Sequence, residues 1–154
     1  MNTATALIEP RVVASEMLGR IVLAVGEMEY KVGLCLCRLV DAPEFEVLAP
    51  IVDTLSLKPR LDMLNDLVAA HFAGSPGCLS EFAHWHGRLG QLGDRRSGFV
   101  HGRWDSDIDA LRPARFKGRP KAVCHVAELR EECRRAEVLG GIFQGWRGRW
   151  LGLV

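Results

Sequence analysis

The sequence has little net charge for a chain with so many hydrophobic residues. Its 154 residues have a formal net charge of +1, with 25% charged and 48% hydrophobic residues. Disordered chains combine low hydrophobicity with high net charge, so disorder is excluded as the main state. The near-neutral total also argues against a polybasic nucleic-acid binder of the histone type.

Cysteine pairs and long apolar runs are also missing. The five cysteines are odd in number and include no C-x-x-C pair, which argues against a disulfide framework and a zinc ribbon. No apolar run reaches the 18 or more residues of a membrane span. Met1 to Pro10 also lacks the basic segment and apolar core of a signal peptide. We expect one reduced, soluble, cytoplasmic domain over residues 1–154, with no membrane partner, metal or cofactor.

Apolar residues recur at steps of three and four along nearly the whole chain, as in amphipathic helices. The first helix is predicted to end at the Asp41-Ala42-Pro43 step, because the residue before a proline disfavours the α region. The predicted segments are Pro10–Val40, Glu44–Leu55, a helix N-capped by Ser56, a helix from about Leu79, and a last helix over Val126–Trp150. Residues 102–124 are predicted as a long irregular loop, with a short strand or hairpin around Phe116 or over Ala122–Val126 as an alternative. The predicted fold class is therefore all-α, a helical bundle with an irregular basic loop before the last helix.

Three glycines of the first helix, Gly19, Gly26 and Gly33, are seven residues apart and therefore share one side. Glycine costs a helix about 1 kcal/mol relative to alanine. Three aligned glycines therefore predict a neighbouring helix packed very close to this side.

Two charged residues interrupt the apolar stripes, Glu29 on the first helix and Arg96 on the fourth. A lone buried charge is costly, so each needs a partner. We predict that the two helices pack so that Glu29 and Arg96 meet. A buried ion pair that holds the register of the bundle and a functional site are both open interpretations of that meeting.

A histidine follows Arg96 five residues later, in the segment Arg95-Arg96-Ser97-Gly98-Phe99-Val100-His101-Gly102-Arg103-Trp104. On a helix, side chains five residues apart are separated by about 140°, so Arg96 and His101 can border one groove where the helix ends. Histidine transfers protons near neutral pH and arginine binds phosphate bidentately. The pair suits phosphodiester chemistry without a metal.

This segment resembles the signature of the HEPN-like domain family, an arginine, a polar residue and, a few residues on, a histidine. Here these are Arg96, Ser97 and His101, and the specific part of the resemblance is about ten residues. The resemblance implies a four- or five-helix up-and-down bundle that forms a homodimer, with two copies of the motif lining a shared cleft. In catalytic members that cleft is a metal-independent endoribonuclease, an effector in toxin–antitoxin and anti-phage systems, with a cognate antitoxin protein as a further partner.

The resemblance also implies roles for individual residues. His101 would activate the ribose 2′-hydroxyl or protonate the leaving oxygen, Arg96 would stabilise the charged phosphate, and Ser97 would be the adjacent polar residue. The family usually has Asn, Asp or His where Ser97 stands. Glu29 matches no signature position, and its role as the residue that orients Arg96 is our inference from the stripes alone.

The neutral total conceals a strong charge asymmetry. Residues 1–94 have a net charge of −5 and residues 95–154 a net charge of +6, so the basic excess begins beside the motif. Candidate phosphate contacts in this part of the chain are Arg95, Arg103, Arg115, Lys117 and Arg119. For the last three, a solvated loop is the competing interpretation. A non-catalytic protein-interaction module and an RNA-binding module without cleavage remain as alternative functions.

The other histidines and cysteines are interpreted as structural. His84 and His86 lie two residues apart, about 200° around a helix, so they cannot share a metal ion and are assigned to surface or core packing. Cys35 and Cys37 lie in an apolar helix face and are assigned to the core.

Overall fold

Over the residues that the structure describes, the chain forms a bundle of five helices with a small sheet between the fourth and the fifth. The computed structural model describes residues 3–40, 42–100, 103–107, 110–114 and 124–153, with side chains described over 12–40, 46–100 and 126–153. The helices are α1 (Thr3–Leu39), α2 (Ala42–Thr54), α3 (Leu57–His71), α4 (Pro76–Val100) and α5 (Val126–Leu151). The all-α prediction is confirmed.

The predicted helix boundaries agree best where a proline or a cap defines them. α1 ends at Leu39, just before the Asp41-Ala42-Pro43 step, although it begins seven residues earlier than expected. Ser56 occupies the N-cap position of α3 with an extended backbone but makes no side-chain capping hydrogen bond. Pro59 falls in the first turn of α3, where a backbone N–H would have no partner within the helix, so the N–H that proline lacks is not missed.

The core lies between α1, α3, α4 and α5, and tryptophans join the last two helices. Trp85 of α4 donates its indole N–H to the carbonyl of Leu139 at 3.1 Å, and Trp146 of α5 donates to the carbonyl of Cys78 at 3.4 Å. The Trp85 ring also stacks on Phe143, with ring centroids 3.8 Å apart. Because residue numbers along α4 fall as those along α5 rise, the two helices are antiparallel.

The described residues of the stretch predicted as an irregular loop form three short strands. They are β1 (Arg103–Asp107), β2 (Ala110–Ala114) and β3 (Cys124–His125), in the antiparallel order β1-β2-β3. β2 pairs with β1 along its whole length, and its pairs with β3 among the described residues are at Ala110 and Leu111. The stretch is therefore more regular than its glycine and proline content indicates.

The row of glycines in α1 does not mark one close neighbour along its whole length. A Cβ added to Gly33 would lie 3.4 Å from Val52 of α2 and 3.5 Å from Arg60 of α3. A Cβ at Gly19 or Gly26 would meet nothing within 4 Å. The prediction is thus wrong for Gly19 and Gly26, because shared spacing along a helix does not imply a partner at every turn.

Within the residues that the structure describes, no helix combines the length and the apolar character that crossing a bilayer requires.

Cys35 on α1 is fully buried, and this burial raises the pKa of its thiol to about 11 from the ordinary value of 9.0, against the opposing effect of Arg147. The folded state therefore favours the protonated thiol. The contribution of this protonated thiol to the free energy of unfolding is complete below pH 9 and is lost as the pH rises through 11. We expect a decrease in the free energy of unfolding of up to about 1.4 kcal/mol per pH unit in this window.

Chemical denaturation between pH 7 and 11 would measure this decrease. Cys35→Ala should show a smaller decrease across the window, whereas the titration of lysines and of the tyrosine is common to both proteins. Parallel curves for the two proteins would contradict the prediction.

Candidate functional site

One arginine fastens three helices together and thereby positions the candidate site. Arg60, in the first turn of α3, donates from Nε to the carbonyl of Leu55 at 2.8 Å and from Nη2 to the carbonyl of Asp53 at 3.3 Å. Its Nη1 donates to the carbonyl of Glu29 on α1 at 3.3 Å. The start of α3 is therefore held against the turn of α1 that carries Glu29.

A cavity of about 360 Å³ lies where this junction faces α4. We call it the Arg96 cavity. It is lined by Glu29 of α1, by Ser56, Leu57, Lys58, Leu61 and Asp62 at the start of α3, and by His86, Gly90, Gly93, Asp94, Arg96 and Ser97 of α4. α4 supplies these residues at helical spacing, so one of its faces forms a complete wall.

Two glycines of α4 shape this wall in opposite ways. A Cβ added to Gly93 would lie 3.0 Å from Leu57 Cδ2, so α4 and the start of α3 touch at this point. A Cβ added one turn earlier, at Gly90, would meet nothing within 4 Å. The cavity is therefore open beside Gly90 and closed beside Gly93.

The structure brings Arg96, Ser97 and Glu29 to the same cavity. Arg96 is half-buried, and its Nε is buried without a hydrogen bond to any described residue. Neither an ion pair nor a hydrogen bond joins Arg96 to Glu29 among the described side chains. The two residues thus border one space, but the direct pair of the structural interpretation is not seen.

His86 lines the Arg96 cavity as well, and the sequence interpretation missed it. Its Nε2 is buried and makes no hydrogen bond to a described residue, while its ring lies 5.7 Å from that of Phe82. The spacing of His84 and His86 excludes a metal ion shared by the two residues, but it does not show where His86 lies. The signal available was the spacing of His86, Gly90, Gly93 and Ser97, which places them on one face of α4.

The charges in the cavity nearly balance. Lys58 and Asp62 pair at 3.2 Å at the start of α3. Glu29, Asp94 and Arg96 supply the remaining formal charges, so carboxylates exceed cations by one. Unbonded nitrogens on Arg96 and His86 need acceptor or donor groups, and a ligand with hydroxyl and anionic oxygens would supply them.

Arg95 lies elsewhere, although it is the immediate neighbour of Arg96. It donates a hydrogen bond to Glu132 of α5, whose side chain is only 7% exposed. The backbone of Arg103 is in β1, but its side chain lies outside the described residues. His101, Arg115, Lys117 and Arg119 also lie outside them. Their predicted roles stay predictions.

Among the described side chains, no three of the types His, Cys, Asp and Glu are grouped closely enough to hold a metal ion. What the Arg96 cavity does offer is a guanidinium, an ammonium group, an imidazole, three carboxylates and two hydroxyls around one space. These groups can bind an anion, orient it and exchange protons with it.

A structural role for Arg96 can be separated from a functional one by unfolding measurements. A buried donor without a partner costs about 1–3 kcal/mol, so Arg96→Met should leave the free energy of unfolding unchanged or raise it. Glu132→Gln is the comparison, because it weakens two charged hydrogen bonds to a buried carboxylate and should cost about 1–3 kcal/mol. Equal losses in the two variants, measured by urea denaturation, would mean that Arg96 holds the bundle together.

Comparisons of the chain with protein-family models, with curated proteins and with solved structures found no match.

Proposed function

We propose that the protein is a metal-independent endoribonuclease that acts on RNA phosphodiester bonds in the cytoplasm, as a toxin or anti-phage effector. The observation that supports this most directly is the unbonded Nε of Arg96 in a cavity that also contains Glu29 and Ser97. His101 follows the last residue of α4 directly in the chain. Arg96, the first residue of the motif, therefore lines a cavity and, among the described residues, is not part of a buried ion pair.

The proposed reaction is an internal transfer. The ribose 2′-hydroxyl loses its proton to a base and attacks the adjacent phosphorus, and the bond to the 5′-oxygen of the next nucleotide breaks as that oxygen receives a proton. The products are a 2′,3′-cyclic phosphate and a 5′-hydroxyl, and no water is consumed. Arg96 stabilises the charge on the phosphate. Glu29 borders the same cavity and orients Arg96 once the substrate is bound, because no bond joins the two side chains in the structure.

This reaction needs one group that removes a proton and one that supplies a proton. We assign His101 to one of these transfers. His86 is the second candidate, since its Nε2 is buried and unbonded in the same cavity as Arg96. With two histidines, each transfer has an imidazole that can accept or donate a proton.

The test is cleavage of a single-stranded RNA in the presence of a chelator. We expect products with 2′,3′-cyclic phosphate ends and no cleavage at a 2′-deoxy position, because the 2′-hydroxyl is the nucleophile. His101→Ala and Arg96→Met should each lower the rate by about 100-fold or more, with the melting temperature retained. Absence of cleavage, or loss of cleavage with the chelator, would overturn the proposal.

A steric block of the cavity gives a control that leaves every charged or titratable residue in place. Gly90→Leu places a side chain in the open part of the Arg96 cavity, whereas Gly87→Leu places the same side chain on exposed α4 surface that also has nothing within 4 Å. Both changes should stabilise the helix by a similar amount, about 1 kcal/mol or less. Only Gly90→Leu should abolish cleavage, and equal activity of the two variants would place the reaction elsewhere.

The competing function is a non-catalytic helical homodimer that binds a protein partner such as an antitoxin, or RNA without cleavage. Exposed apolar side chains on α1 and α2 favour such an interaction surface. Leu23 and Tyr30 of α1 are 73% and 64% exposed, and Val47 and Ile51 of α2 are also exposed. Large apolar side chains exposed on neighbouring helices are typical of contact surfaces.

Light scattering of the purified protein tests this surface. If the exposed residues of α1 form the contact, Leu23→Glu and Tyr30→Glu should convert a dimer into a monomer without lowering the melting temperature. Val138→Glu on α5, which replaces another exposed apolar residue, is the matched control and should remain dimeric. A wild-type protein that is monomeric would exclude the homodimer.

A further inference from the structure

A second concave site lies between α4 and α5, and it is formed mainly by arginines. We call it the arginine cleft. Its volume is about 230 Å³, and it is lined by Arg88, Gln91, Leu92 and Arg95 of α4 and by Glu132, Arg135 and Leu139 of α5. Of these residues, sequence reasoning had singled out only Arg95.

Glu132 organises the cleft from below. Its buried carboxylate accepts hydrogen bonds from Arg95 and from Arg135, the latter at 2.9 Å. A buried carboxylate requires such partners. Each guanidinium has five N–H donors. Glu132 engages only Nη1 of each, and Nε of Arg135 donates to Glu131 at 3.1 Å. Two arginines are thus held in place with donors left over, which lowers the entropy lost when they bind an anion.

The cleft has a net positive charge. Three guanidinium groups face one carboxylate in its lining. Arg88 lies 3.5 Å from the ring nitrogen of His84, and within the described ranges no carboxylate pairs with it. Gln91 adds an amide, and Leu92 and Leu139 supply an apolar floor that reduces solvent screening. This combination suits a phosphate group, whose oxygens accept bidentate bonds from arginine.

The position of the cleft relates it to the Arg96 cavity. Arg95 lines the cleft and Arg96 lines the cavity, and consecutive side chains on a helix are about 100° apart. The last turns of α4 therefore separate two sites that differ in charge: the cleft has more cations than carboxylates, and the cavity has fewer.

We propose that the arginine cleft binds a phosphodiester group of a single-stranded RNA whose neighbouring segment enters the Arg96 cavity. The identity of the strand rests on the proposed ribonuclease function, whereas the affinity for phosphate rests on the cleft alone. In this arrangement the cleft supplies the electrostatic attraction that the Arg96 cavity lacks, and the cavity supplies the proton-transfer groups.

The test is the salt dependence of binding to a 2′-O-methyl oligonucleotide, which cannot be cleaved through its 2′-oxygen. Arg88→Gln should lower the affinity and reduce the slope of log K against log salt by about 0.7, the contribution of one phosphate contact on a single strand. Arg149→Gln is the matched control, because Arg149 pairs with Glu81 at an exposed position outside the cleft. The control should retain the wild-type slope.

Glu132→Gln separates an organised site from a diffuse positive field. If only net charge mattered, loss of this carboxylate would strengthen binding. If Glu132 holds Arg95 and Arg135 in place, binding should weaken even though the protein has become more positive. Stronger binding by this variant, or equal slopes for Arg88→Gln and Arg149→Gln, would overturn the proposal.

The two proposals fail in different ways. Slopes that change as expected, together with no cleavage of ordinary RNA, would support the cleft and overturn the ribonuclease. Cleavage of RNA, together with a salt-dependence slope that Arg88→Gln does not change, would support the ribonuclease and overturn the cleft. Inorganic phosphate is the competitor in this experiment. If phosphate displaces the oligonucleotide at a concentration equal to that of the oligonucleotide, the cleft binds phosphate as such, and its assignment to an RNA strand is overturned.

Discussion

The hydrogen bonds that Trp85 and Trp146 exchange across α4 and α5 determine where both candidate sites lie. Each indole donates to a backbone carbonyl of the opposite helix, and Trp85 also stacks on Phe143. A slide of α4 along α5 would break both bonds and leave buried donors unsatisfied, which is costly. With the two helices fixed in this way, Arg95 reaches Glu132 and the next side chain, Arg96, is directed to the other side of α4.

Arg60 performs the corresponding task for the remaining helices, since it binds carbonyl groups of α1, α2 and the turn before α3. The Arg96 cavity lies between these two fastened parts of the bundle. The cavity contains nitrogens of Arg96 and His86 that are buried and make no hydrogen bond to a described residue. Stability alone would not favour this arrangement, because buried polar groups normally have hydrogen-bond partners. Proteins retain such local costs where a site must remain open to a ligand.

The helical architecture could be predicted from the spacing of apolar residues, and α2, α3 and α5 lie close to their expected ranges. What periodicity could not supply is the relation between helices. Leu67 and Val68 are adjacent apolar residues of α3, and only packing decides that Val68 is the buried one. The basic part of the chain made Arg95 a candidate phosphate contact. Its bond to Glu132, 37 residues away, depends on a register between two helices that one sequence does not show. The sequence excluded a metal ion shared by His86 and His84, but the position of His86 in the Arg96 cavity depends on residues of α1 and α3. Arg60 gave no local signal at all.

The division of labour between Arg95 and Arg96 depends on the angular position of each residue along α4 and not only on its chemical type. Inserting or deleting one residue between Trp85 and Arg95 would rotate the end of the helix by about 100° relative to the anchored part. The arginine that faces Glu132 would then change, and with it the wall of the Arg96 cavity. This part of the chain should therefore accept many exchanges of side chain on its solvent face but no change of length. The spacing between Trp85 and the Arg95-Arg96 pair is accordingly a better mark of this protein in a related sequence than either arginine alone.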